Sequence, residues 1–314
     1  MIIGVDRDVE VPLPHELQRF GGFVRARVTG PEDAPLIVAL GGISGDRFVC
    51  GHSDGRDGWW PGMVGPGCAV DPRHYRVLGF DFAADPRGRV APSTRDQAQV
   101  LGALMDGLAI EKAHAIVAAS YGAMVALSFA EHLADRVLKL VIISAGARSH
   151  AAATALRDLQ RRVVELGIKA GQKREALALA RGMAMMTYRT SEEFGERFKG
   201  GIAGPHCLGA SEPGSYLRAR GEAFLSVMSP ERFLSLSASI DRHDVDATRI
   251  AQPALLIGAN SDQLVPPDDM RKLASELAGP TELHLLDCLE GHDMFLTNAA
   301  RLSTLVAPFL ANSQ

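Results

Sequence analysis

The sequence predicts an α/β protein, an open and mostly parallel sheet covered by helices on both faces, with a helical lid inserted into it. Three observations predict this. Short apolar runs recur and read apolar on both faces, as strands buried between helices do. Stretches with apolar residues at helical spacing separate several of these runs. Between about residues 148 and 250 the strand-like runs stop and only helical patterns remain, after which the alternation resumes. The core domain is accordingly expected over residues 1–147 and 251–314, and the lid over 148–250. With 314 residues, 46% of them hydrophobic and 22% charged, the chain has material for one large core.

Taken in order, the strand candidates are residues 36–42 (LIVALGG), 76–82 (RVLGFDF), 115–120 (AIVAAS), 138–145 (LKLVIISA), 254–260 (ALLIGAN) and 282–288 (ELHLLDC). Residues 94–108, 268–278 and 298–310 have helical spacing, and an apolar helix, AMVALSFAEHLA, follows the third strand. The lid reads LRDLQRRVVELG, QKREALALARGMAMMTY, GSYLRARGEAFLSVM and ERFLSLSASI, four helical stretches with no strand among them. Ligands of open α/β sheets bind at the carboxyl ends of the strands. A lid inserted there would roof the site.

Composition excludes several classes. Lys and Arg number 33 against 37 Asp and Glu, so no basic excess exists to neutralise a phosphate backbone, and no nucleic-acid partner is expected. Asp6, Asp8 and Glu10 interrupt the start of the chain where a secretory leader needs an apolar run. Residues 113–130 are long and apolar enough to resemble a membrane span, but the polar turn at Ser120–Gly122 divides them into a strand and a helix. No membrane partner is expected. The four cysteines, Cys50, Cys68, Cys207 and Cys288, are far apart, which suits free thiols in a reducing, cytoplasmic setting. His52, His74, His114, His132, His150, His206 and His243 lack metal-ligand spacing, so no metal site is expected. Gly41-Gly42 belongs to neither a dinucleotide nor a P-loop fingerprint.

The chemistry gathers around Ala118-Ala119-Ser120-Tyr121-Gly122, directly after a strand and before a helix. This is the form of a nucleophile elbow, with Ala118 in place of the usual first glycine. The pentapeptide alone is equally an ordinary Ser-Gly turn. Asp262 follows the fifth strand candidate and His292 follows the last, so Ser120, Asp262 and His292 occur in the chain order of the α/β-hydrolase fold. A serine hydroxyl is a weak nucleophile near neutral pH. A histidine must take its proton, and a carboxylate must orient that histidine and stabilise its cationic form. The backbone N–H of Tyr121 and one from the turn at Leu40-Gly41-Gly42 are the candidate oxyanion donors, with Leu40 taken as the second.

Beyond the three catalytic candidates, the chain resembles the homoserine O-acyltransferases of methionine biosynthesis. The resemblance rests on GWWPGMVGPGCAVDPRHYRVLGFDF, LRDLQRRVVELG, ALARGMAMMTYRTSEEFGERF, SYLRARGEAFLSVMSPERFLSLSASIDRHDV, IGANSDQLVPPDDM and GHDMFL, and extends from about Ala34 to the C-terminus. It implies that Ser120, Asp262 and His292 are nucleophile, acid and base. It also implies that Arg181 and Tyr188 hold the carboxylate of L-homoserine and Asp293 its ammonium. Acyl-CoA would be the co-substrate, with no permanently bound cofactor, and the protein would be a homodimer through the lid helices. Met183, Met185 and Met186 could belong to that interface or to the lid core. A guanidinium is well shaped for a carboxylate, and fixing both charges of a zwitterion would aim its hydroxyl at the base.

The sequence departs from the family around the acyl pocket. Leu40-Gly41-Gly42-Ile43-Ser44 stands where many members have a Leu-Thr-Gly segment, and Tyr-Gly-Ala-Met follows the serine in place of Gly-Met-Gly-Gly. A GGIS-like segment resembles the succinyl-transferring branch, so succinyl is favoured slightly over acetyl. Arg47, Arg87 and Arg89 are then candidates for the distal carboxylate. Three other readings stay open at this level: a serine O-acyltransferase, an esterase or thioesterase, and a catalytically silent binding protein of the same fold.

Overall fold

A computed structural model describes residues 5–51, 55, 57–199 and 211–312. His52, His206 and Cys207 lie outside the described residues. The chain opens with two antiparallel strands, β1 (Val5–Pro12) and β2 (Phe23–Gly30). The alternation then begins with β3 (Leu36–Leu40), β4 (Arg76–Phe80), α1 (Thr94–Gly107), β5 (Ala115–Ala119), α2 (Tyr121–His132) and β6 (Leu140–Ile143). The lid follows as α3 (Ala151–Lys169), α4 (Lys173–Tyr188), α5 (Ser191–Arg197), α6 (Glu212–Phe224) and α7 (Pro230–Asp241). The chain returns to the sheet with β7 (Ala254–Ala259), α8 (Pro267–Glu276) and β8 (Thr281–Leu286), and closes with α9 (Met294–Thr297) and α10 (Ala299–Ala311).

The eight strands lie in the order β1-β2-β4-β3-β5-β6-β7-β8, with β1, β2 and β4 paired antiparallel and every pair from β4 through β8 parallel. Each of the six strand candidates is present, shortened by up to four residues in all. The first two strands escaped the search for doubly buried runs because they alternate charge with apolar residues, as in Val5-Asp6-Arg7-Asp8-Val9. That pattern belongs to antiparallel strands, which need not be covered on both faces, and β1 forms the sheet's edge.

Strand side chains point alternately to the two faces. Val38 and Leu40 enter a core shared with Leu101, Leu104 and Leu127 from the α1–α2 side. Ile37 and Ala39 enter a second core with Trp60, Leu302 and Val306 from the α10 side. Double coverage explains why β3, β5, β6 and β7 are wholly buried and lack alternation. No single helix among the described residues is long and apolar enough to cross a membrane.

The lid is held differently. Helices α3 and α7 are tied by Arg157 and Arg161, which share Asp241 at 2.6 and 2.7 Å. His243 fastens the lid's last turn to the core. Its Nε2 lies 3.1 Å from the Gly146 carbonyl and its Nδ1 2.9 Å from Thr94 Oγ1 at the start of α1. Burial holds the His243 pKa down, to about 4. The ring is therefore neutral near pH 7, so Nε2 donates to the carbonyl and Nδ1 accepts from the threonine hydroxyl.

Candidate active site

Ser120 sits between the last residue of β5 and the first of α2 with φ 54° and ψ −123°, a conformation that non-glycine residues rarely adopt. The strain lifts the hydroxyl clear of the strand end. Close packing behind the turn makes it possible. A Cβ on Gly122 would lie 2.5 Å from Leu40 Cβ and 2.7 Å from the Gly41 carbonyl oxygen, and that oxygen accepts the Gly122 N–H at 2.8 Å. Only glycine fits there. Ala118, at the other end of the elbow, is wholly buried in the sheet.

The geometry brings the three catalytic candidates together. Ser120 Oγ lies 2.8 Å from His292 Nε2, and His292 Nδ1 lies 2.8 Å from Asp262 Oδ2. The other Asp262 oxygen accepts the backbone N–H groups of Leu264 and Val265 at 2.8 and 3.0 Å. With the carboxylate ionised and facing Nδ1, the imidazole proton resides on Nδ1 and leaves Nε2 free to accept from the serine. Burial alone would lower the pKa of His292. The charge of Asp262, its hydrogen bond and the nearby Asp293 outweigh that effect and raise it. The loop bearing His292 turns at Gly291, whose φ is 57° and where a Cβ would lie 3.0 Å from the Tyr188 carbonyl. The histidine loop is thereby packed directly on the end of lid helix α4.

Two cavities reach Ser120. The first, about 150 Å³, is lined by Ser120, His292, Arg181, Tyr188 and Asp293 together with Trp59 and the Gly42–Gly45 loop. All three residues that the resemblance assigns to an amino-acid ligand therefore meet beside the serine. The Arg181 guanidinium carbon lies 4.9 Å from the Tyr188 ring centroid and 4.8 Å from that of Phe224. Its Nε is buried without a hydrogen-bond partner, and no carboxylate pairs with Arg181 among the described residues. The Tyr188 ring lies 5.8 Å from that of His292.

Asp293 is not alone. Its Oδ2 accepts from Arg189 Nε at 2.8 Å, and Arg189 Nη1 donates to Glu193 Oε1 at 2.6 Å. Burial opposes the charge on Arg189, but the two acids outweigh it and its pKa is raised. Two carboxylates around one guanidinium leave a net negative charge at the Asp293 end of the cavity. Sequence reasoning missed Arg189 and Glu193, because the Arg189–Asp293 contact spans 104 residues and no local pattern announces it.

The Tyr121 N–H belongs to the first turn of α2, where backbone donors lack helical acceptors, and it adjoins Ser120. Leu40 ends β3 and is buried against Gly122, while Gly42, Ile43, Ser44 and Gly45 of the following loop line the cavity. The arginines suggested for a distal acyl carboxylate are elsewhere. Arg47 is engaged with Asp81 at 2.8 Å and Asp8 at 3.2 Å, and Arg87 and Arg89 are exposed on a loop folded around Asp85. None of them lines either cavity. A loop position at a strand end was too weak a criterion, since it does not fix direction.

The second cavity, about 50 Å³, also reaches Ser120 and His292 and is walled by α3. Ser144, Ser149, His150, Arg157, Gln160 and Thr187 contribute to its wall. Of the lid methionines, Met185 is buried and Met186 exposed. No group of His, Cys, Asp and Glu suited to a metal ion occurs among the described residues.

This fold and site define a class: a family model for the alpha/beta hydrolase fold matches residues 35–299. The chain is 38% identical to a homoserine O-succinyltransferase of Xanthomonas campestris, over 96% of this chain and 82% of that protein. It is 34% identical to a homoserine O-acetyltransferase of Thermus thermophilus, over 82% and 73%. The chain thus belongs to the alpha/beta hydrolases and, within them, to the homoserine O-acyltransferase family. The solved structure of esterase E22 superimposes with a TM-score of 0.82 at 21% identity, covering 98% of this chain and 99% of that one. At that identity the likeness concerns the fold, which accommodates both names.

Proposed function

We propose that the protein moves an acyl group from acyl-CoA to the hydroxyl of L-homoserine through an ester on Ser120. The observation that supports this most is the first cavity, where Arg181, which has no carboxylate partner among the described residues, and a net negative cluster around Asp293 flank the serine. An esterase has no use for such a pair. A zwitterionic amino acid does: its carboxylate goes to Arg181 and Tyr188, its ammonium to Asp293, and its side-chain hydroxyl to His292.

In the first half-reaction, Ser120 gives its proton to His292 Nε2 while Oγ adds to the thioester carbonyl. The tetrahedral oxyanion faces the Tyr121 N–H and the N–H offered by the turn at Leu40-Gly41-Gly42. The C–S bond then breaks, and the CoA sulfur leaves with the proton from His292. In the second, homoserine's hydroxyl gives its proton to His292 and attacks the ester carbonyl. The bond to Ser120 Oγ breaks and the serine recovers its proton, leaving O-acylhomoserine. Asp262 stabilises the imidazolium in both steps and stays ionised. Positioning by two charges is what lets one hydroxyl outcompete bulk water, an advantage worth several orders of magnitude in rate.

The test is product analysis with acyl-CoA and equal concentrations of homoserine and serine. O-acylhomoserine as the dominant product is expected. Free acid formed at the same rate with or without amino acid would sustain the esterase reading, and O-acylserine the shorter acceptor. The outward-facing Leu159, Leu166 and Leu179 of α3 and α4 suit the lid-to-lid homodimer expected from the resemblance. Sedimentation would check it, a monomer at micromolar concentration counting against it.

A further inference from the structure

We infer that Arg189 and Glu193, neither of which lines the first cavity, are positioning residues that hold Asp293 ready for an ammonium group and so select an amino acid over a plain hydroxy acid. The inference rests on the acyl-transfer reading above and deepens it, by naming what sets acceptor choice from behind the cavity wall.

The arrangement begins with the break between two lid helices. Helix α4 stops at Tyr188, Arg189 follows it in an extended conformation, and Thr190 caps α5 by accepting the Glu193 N–H at 3.0 Å. Arg189 thereby meets Glu193, four residues on, while reaching across to the loop that carries His292. It uses a different nitrogen for each acid: Nε donates to Asp293 Oδ2 at 2.8 Å and Nη1 to Glu193 Oε1 at 2.6 Å. The three side chains are only 10–17% exposed, so water screens their charges little.

Three features exceed what a structural joint needs. Among the described residues the Asp293 carboxylate accepts a hydrogen bond on Oδ2 alone, which leaves Oδ1 for a ligand in the cavity that Asp293 lines. Next, an Arg189–Asp293 pair by itself would be neutral and would offer an ammonium little. Glu193 makes the cluster net negative, and its Oε2 is buried without a hydrogen-bond partner. A buried acid with an idle oxygen is costly. An ammonium beside Asp293 would bring the cluster to two acids and two cations and offset that cost. Finally, the same joint is already fastened without the ion pairs. Thr190 Oγ1 donates to the Leu289 carbonyl at 2.5 Å, and Gly291 packs against the Tyr188 carbonyl.

The experiment measures acyl transfer by the intact protein to homoserine and to 4-hydroxybutyrate, which has the same carboxylate and hydroxyl but no ammonium. The wild type should favour homoserine by about 10- to 100-fold in kcat/KM, the value of a hydrogen bond to a charged group. Glu193→Gln keeps the shape of the contact but leaves the cluster neutral. It should cut that preference by about 10-fold, through the KM for homoserine more than through kcat. Arg189→Lys retains the charge but cannot hold both acids on two edges of a planar fork, so it too should lower the preference. A joint that merely fastens the lid predicts equal loss with both acceptors. That result, or a preference unchanged in both folded variants, would overturn the assignment. The wild type alone reads the underlying reaction. Free acid in place of O-acylhomoserine would remove the transferase and this pair with it, whereas O-acylhomoserine formed with unaltered preference in the variants would remove the pair only.

Discussion

The floor and the roof of this site are made by different physics. The floor consists of strand ends. Ser120, Asp262 and His292 follow β5, β7 and β8, and the strands under the serine are wholly buried and apolar. Their positions are set by hydrogen-bonded register and close packing, which tolerate little change. The roof consists of amphipathic helices fastened by ion pairs: Arg157 and Arg161 to Asp241, and Arg189 to Asp293 and Glu193. On the proposed reading, the floor holds the groups that make and break bonds, and the roof the groups that recognise charge. Reaction type and substrate choice are thus separable, and substitutions in the two regions should fail in different ways.

The largest expected effect is on the floor. Ser120→Ala should lower turnover by ~10⁴-fold or more, since the members of a triad act as a unit. Stopped assays of CoA release would check this, with full activity in a folded variant ruling out the covalent route. In the roof, Arg181→Ala should raise the KM for homoserine by about 10- to 100-fold, the value of a charged hydrogen-bonded contact, while CoA release in the acceptor-free burst persists. Equal loss in both half-reactions would place Arg181 in the acylation step instead.

The boundary between the regions can be read by pH. His292 must be neutral to act as base, and its pKa is raised above 6.5, so activity should fall on acidification from above that value. Asp293 contributes to the raised pKa by stabilising the imidazolium. Asp293→Asn should therefore move the acid limb of kcat/KM to lower pH, besides weakening homoserine binding. A limb that stays fixed would mean that Asp293 acts on homoserine alone.

The smallest effect is on the joint. His243 has its pKa lowered by burial from 6.5 to about 4. The unfolded chain takes up that proton first, so its contribution is complete above about pH 6.5 and is lost as pH falls toward 4, up to ~3 kcal/mol. Urea unfolding across that range should show the loss, and His243→Gln, which cannot titrate, should flatten it.

How much of this was legible in the sequence divides along the same line. The six buried strands, the elbow and the order Ser120, Asp262, His292 were readable because doubly covered strands and tight turns impose local composition. The assignments of Arg181, Tyr188 and Asp293 came from resemblance, and the structure places them around one cavity. Arg189, Glu193, Arg157 and Ser144 were not readable. Each matters through a partner or cavity wall that only folding supplies, as with Arg157 and Asp241, 84 residues apart. Arg47, Arg87 and Arg89 failed for the complementary reason: they are in suitable loops, but their side chains are engaged or directed elsewhere. The antiparallel strands β1 and β2 had a signal of their own, alternation, that a search for buried runs passes over.

The central claim is that one acyl group visits Ser120 and then a hydroxyl held between Arg181 and Asp293. The most direct measurement loads the protein with radiolabelled acyl-CoA in the absence of acceptor, removes free CoA, and follows the label after adding homoserine or buffer. The account predicts label on the Ser120 peptide, slow loss in buffer, and rapid transfer to O-acylhomoserine when homoserine is added. Label that never attaches to Ser120, or that leaves at one rate whether homoserine is present or absent, would contradict it.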